Sequence, residues 1–214
     1  MIKKLKIFID IFMYIDFVYL MSYGTIHKLV DHGIYGIVLF VLFIIHNLLN
    51  LSFYTRLKTG KYSSPRMFIT CLNVVLFILM ILMAISSVFM SGFIFSWATI
   101  ATPVFARMLH IVSSTWGFFV MSLHLAIHVN FLFNKIGKSK NRILQYIVDF
   151  ALIVCGVISF IKSNIAVYLF NTSPWKMSSP YIFVTVIEFV FITLGICAIY
   201  NLSKLILVRK NAKN

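Results

Sequence analysis

The chain has 214 residues, of which 61% are hydrophobic and only 11% charged, and its mean hydropathy is +0.99. That balance excludes an ordinary soluble domain and marks a membrane protein. The formal charge of +14 would suit a nucleic-acid binder, but the basic residues fall in short clusters between apolar runs, which is the pattern of lipid topology and not of a nucleic-acid surface.

Six apolar runs occur in order, roughly at 5–21, 32–53, 67–90, 105–133, 146–170 and 181–208. Each is near or above the roughly 20 residues that a helix needs to cross hydrocarbon. Backbone in lipid must satisfy its own hydrogen bonds, and runs of this length do so as helices. The sequence therefore predicts an all-α fold, an integral membrane bundle of six transmembrane helices. The opening Lys3-Lys4-Leu5-Lys6 also resembles the start of a signal peptide. Asp10 and Asp16 interrupt the run behind it and no small-residue cleavage site follows, so a retained first span is expected.

Fifteen of the nineteen Lys and Arg residues fall on one side of such a bundle: before the first span, after the second and fourth, and after the sixth. Lys28, Arg107, Lys162 and Lys176 are left for the other. The positive-inside rule then puts both termini in the cytoplasm. With a composition biased to Lys, Asn, Ile and Phe, the expected location is a bacterial cytoplasmic membrane. The segment 93–104, with Trp97 and Pro103, is too short to cross and reads as an outer interfacial anchor, as does the loop 171–180 with Trp175. Cys71, Cys155 and Cys197 stand singly in apolar runs, without CxxC or CxxCH, and read as small buried residues. No GxGxxG is present, so no dinucleotide site of the usual kind is expected.

All six histidines lie in two windows, 27–46 and 110–128. His32 and His46 are 14 residues apart, and so are His110 and His124. On a helix that spacing is about 21 Å of rise and about 40° short of four full turns, which puts each pair on one face near opposite membrane surfaces. One span separates the two windows, so their helices run in the same direction. His32 then shares the outer level with His110, and His46 the inner level with His124. Two helices offering histidines at two matched depths suit two flat macrocycles held through axial imidazoles, the ligation of haem iron. Gly117, midway between His110 and His124, and Gly36, one turn after His32, would let backbone approach such a group. Ser113, Ser114 and Thr115 offer hydroxyls to orient an imidazole or a propionate. His128, one turn beyond His124, is an alternative inner ligand or a propionate or quinone contact, while His27 reads as a solvated loop residue. Asp16 and Glu188 lie inside spans, where a carboxylate needs water, a partner or a function such as proton handling.

The order His32-x-x-x-Gly36, His46-Asn47, Ser91-Gly92, then Leu109-His110, Trp116-Gly117-Phe118 and Ser122-Leu-His124-Leu-Ala-Ile-His128 resembles the small cytochrome-b-like membrane domains associated with bacterial extracytosolic flavinylation. These are distant relatives of di-haem cytochrome b and ferric reductase membrane domains. The resemblance covers residues 14–132 and implies a bis-histidine protein with two haem b. It would pass electrons across the membrane, often from quinol, to a flavin-bearing or other partner outside. The expected organisation is a four-helix haem-binding core at 1–135 followed by two further helices at 136–214. No catalytic residue is assigned, and the chain is expected to be an electron-transfer protein or an oxidoreductase subunit. Two other readings stay open: a haem-free proton-coupled transporter relaying protons through its histidines with Asp16 or Glu188, and a membrane anchor subunit of a redox complex.

Overall fold

The computed structural model describes residues 2–22, 29–91, 95–98, 103–137, 142–172 and 181–211. These are almost entirely helical, with no strand among them: α1 Ile2–Met21, α2 Leu29–Leu49, α3 Leu51–Arg56, α4 Ser64–Met90, α5 Pro103–Gly137, α6 Arg142–Lys162, α7 Ile165–Phe170 and α8 Ile182–Asn211. Five stretches are long and apolar enough to cross a membrane, namely Val30–Leu49, Ser64–Met90, Val104–Val129, Ile143–Lys162 and Ile182–Ile206. The chain is thus a multi-pass helical membrane protein. Helix α1 is 20 residues long, but Lys3, Lys4, Lys6, Asp10 and Asp16 leave it more polar than those five.

Two apolar runs are each divided by asparagines. The run 32–53 breaks at Asn50, whose φ of −112° and ψ of 24° are not helical. Here Asn47 Nδ2 donates to the Phe43 carbonyl at 2.7 Å and Asn50 Nδ2 to the His46 carbonyl at 2.8 Å, so both amides bond back onto the preceding turn. The run 146–170 breaks at Asn164, which takes the left-handed conformation with φ of 52°, as does Asn171 after α7 with φ of 49°. Asparagine tolerates that region better than other side chains, and it stops a helix there. Elsewhere the helices start earlier than the apolar signal, because Pro65 in the first turn of α4 and Pro103 at the head of α5 are polar-neutral starters with a preset φ.

The tightest helix pair is α6 with α8, and α5 packs on α4 and α8. Gly156 and Gly195 meet at the first of these contacts: a Cβ on Gly156 would lie 3.0 Å from the Gly195 Cα. Small residues let membrane helices approach closely where lipid offers no hydrophobic drive between them. Helix α7 docks on α5 through Trp116, whose Nε1 donates to the Leu169 carbonyl at 3.0 Å. The core gathers Phe17 and Val18 of α1, Leu39 and Phe43 of α2, Met80 of α4, Phe118 of α5 and Phe189 of α8. Phe118 and Phe189 form its edge-to-face centre at 5.2 Å. Helix α2 packs mainly on α1 and more lightly on α4. Trp97 lies in a short 3₁₀ turn, Ser96–Ala98, and is 82% exposed, as an interfacial anchor would be.

Candidate functional site

The histidines occupy two levels between α2 and α5. At the first level His32 of α2 faces His110 of α5, with ring centres 6.1 Å apart and planes at 78°. His110 is held by α4: its Nδ1 lies 3.1 Å from Ser87 Oγ, 3.4 Å from Ser86 Oγ and 3.4 Å from the Met83 carbonyl. Both serine hydroxyls donate their protons to that same carbonyl, at 2.9 and 2.8 Å. Their oxygens are left to accept, so the proton of this ring sits on Nδ1 and the lone pair on Nε2.

The second level is more polar. His46 Nδ1 lies 2.7 Å from Asp10 Oδ1 of α1, and His124 Nδ1 lies 2.8 Å from Asn73 Oδ1 of α4. A carboxylate and an amide oxygen both accept, so these rings also carry their protons on Nδ1 and keep Nε2 as a ligating atom. His128 lies one turn beyond His124, with ring centres 4.6 Å apart and planes tilted by 54°, and is exposed. His46, His128 and Asp10 all lie within electrostatic reach of His124. Beside His46, Asn47 Oδ1 accepts a hydrogen bond from the Tyr54 hydroxyl. Partial burial raises the Tyr54 phenol above its ordinary value, so it stays a donor.

Several expected roles fall differently. Ser113, Ser114 and Thr115 do not orient an imidazole: their hydroxyls close on carbonyls of their own helix, at His110 and Ile111. Lys6, four residues before Asp10, donates instead to Asn50 Oδ1 at 2.9 Å, which leaves Asp10 to His46. Gly36 borders open space, with nothing within 4 Å of an added Cβ. Gly117 does not: a Cβ there would stand 3.7 Å from Phe17 and 4.0 Å from Leu79, in ordinary contact with α1 and α4. Glu188 is buried in α8, and Asp16 is buried in α1 with neither carboxylate oxygen hydrogen-bonded among the described residues. His27, Gly92 and Trp175 lie outside the described residues. The partners that sequence reading missed are Ser86, Ser87 and Asn73, and their signal was available: each is a polar side chain inside the most apolar span.

The separation of the rings at the first level can be compared with that of two axial ligands on one haem iron. Imidazole nitrogen ligates first-row metals at about 2 Å, and the ring centre lies about 1 Å further, so two axial rings on one iron stand about 6 Å apart. The observed 6.1 Å matches this. Among the described residues no group of three or more His, Cys, Asp or Glu is placed to hold a bare metal ion. No family model matches the chain, and no curated protein or solved structure is significantly similar to it.

Proposed function

We propose that the chain is a di-haem b-type membrane cytochrome, with the outer haem on His32 and His110 and the inner haem on His46 and His124. The observation that carries this reading is the His32–His110 pair, whose rings stand 6.1 Å apart between α2 and α5, close to the separation of two axial ligands on one iron. In this reading α1 is a sixth span and both termini are cytoplasmic, which the distribution of Lys and Arg supports.

Haem iron bound here would supply one-electron chemistry. The side chains do the rest. Ser86, Ser87 and the Met83 carbonyl hold the His110 ring by its Nδ1 and leave its Nε2 to ligate. Asp10 and Asn73 do the same for His46 and His124, and the carboxylate makes its imidazole the stronger donor. The apolar residues around α2 and α5 keep water away from the path between levels. Electrons would pass between a quinone in the bilayer and an acceptor outside, for which a flavin-bearing protein is the partner suggested by the sequence resemblance. Membranes containing the full-length chain, expressed with haem supplied, should give a reduced-minus-oxidised spectrum of haem b. Absence of that signal in membranes where the protein is present would end this reading.

The buried Asp16 favours a second reading, a proton-coupled carrier without haem. It predicts haem-free protein whose reconstituted proton flux is lost in Asp16→Asn, whereas the cytochrome reading predicts a haem signal that survives that change.

A further inference from the structure

Where α2 ends and α4 begins, the chain forms a cleft of about 580 Å³ that the histidine levels do not use. Its lining includes Ser52, Phe53 and Arg56 of α3, and Arg66, Ile69 and Thr70 of α4. The turn around it is fixed. Arg66 donates to three carbonyls, those of Arg56 at 2.6 Å, Thr59 at 2.7 Å and Lys61 at 3.1 Å, and its guanidinium lies over the Tyr62 ring at 4.3 Å. Tyr62 in turn donates to the Leu57 carbonyl at 2.6 Å, and Gly60 turns the chain with φ of 78°.

Other groups at the cleft are not committed in this way. Among the described residues the Arg56 guanidinium and the hydroxyls of Ser52 and Thr70 make no hydrogen bond or ion pair. Lys6 of α1 adds a cation at the rim, through its bond to Asn50. An uncommitted guanidinium and two uncommitted hydroxyls lining one cleft are a donor set suited to a phosphate oxyanion. The position decides the source. The cleft lies between the end of α2 at Leu49 and the start of α4 at Ser64, the ends of two membrane-length helices, where headgroups lie. Phe53 and Ile69 give it an apolar wall suited to the start of an acyl chain. We propose that this cleft binds the phosphate of an anionic phospholipid, a role that holds whether or not the histidines carry haem.

The test is native mass spectrometry of the full-length protein in detergent, titrated with phosphatidylglycerol, with phosphatidylcholine, or with inorganic phosphate in large excess over the lipid. One phosphatidylglycerol per chain should bind saturably and survive the excess phosphate, and phosphatidylcholine should bind weakly and without saturation. Arg56→Gln should weaken the bound phosphatidylglycerol about five-fold, whereas Lys58→Gln, outside the lining, should change it by less than about two-fold. Thr70→Leu, which fills the cleft without removing charge, should abolish saturable binding and gives an independent reading should Arg56→Gln not fold. Equal losses in the two charge variants, displacement by inorganic phosphate, or undiminished binding in Thr70→Leu would each overturn the proposal.

Discussion

The two histidine levels are built from the same pair of helices yet rest on different supports. At the outer level of the proposed assembly the His110 ring is oriented by neutral acceptors, and those acceptors are redundant: two serine oxygens and a carbonyl surround its Nδ1. At the inner level His46 and His124 each have one acceptor among the described residues, one of them a carboxylate that is 48% exposed, and a spare histidine stands one turn away. The outer level is therefore redundant in its supports and not in its ligands, and the inner level the reverse. The lesson is that matched spacing along two helices does not make two equivalent sites, because the orienting groups come from α1 and α4.

The largest expected effect breaks this comparison at its base. His110→Ala removes a ligand for which no neighbour substitutes, and should lower bound haem from two per chain to about one. Retention of both haems would move the ligand assignment elsewhere. His124→Ala should cost less, a fraction of the inner haem, because His128 is placed to replace it, and the double variant His124→Ala/His128→Ala should complete the loss. If the single and double variants behave alike in haem content, the spare histidine has no such role. Asp10→Ala removes the acceptor that His46 Nδ1 has among the described residues and should weaken the inner haem about ten-fold, with the outer one unchanged, as read by haem retention during dilution. Ser87→Ala is the mildest, a change under about three-fold in outer haem affinity, since Ser86 and the Met83 carbonyl remain. A larger loss in Ser87→Ala than in Asp10→Ala would contradict the contrast between the levels.

The membrane class and the helices were legible because hydropathy over twenty residues is a strong and local signal. Where the helices break was not, since Asn50 and Asn164 act through side-chain bonding and a left-handed backbone, which an apolar average ignores. The pairing of His32 with His110 followed from equal spacing on helices of like direction. The groups that orient those rings did not follow, because Ser87, Asn73 and Asp10 are distant in sequence and meet the histidines only once α1 and α4 have packed. Ser113 to Thr115, near in sequence, were the natural expectation, but a helical hydroxyl has its own carbonyl within reach and takes it. At Gly117 an added Cβ would meet Phe17 of α1 and Leu79 of α4 at ordinary contact distance, neighbours that spacing along α5 alone does not name.

The central claim is that α2 and α5 hold two haems between them. Haem content per chain in purified, haem-supplied protein tests it most directly, measured as the pyridine haemochrome against protein concentration. The proposal predicts a value near two for the natural sequence and near one for His110→Ala. A value near zero for the natural sequence, in protein that is folded and helical, would contradict it.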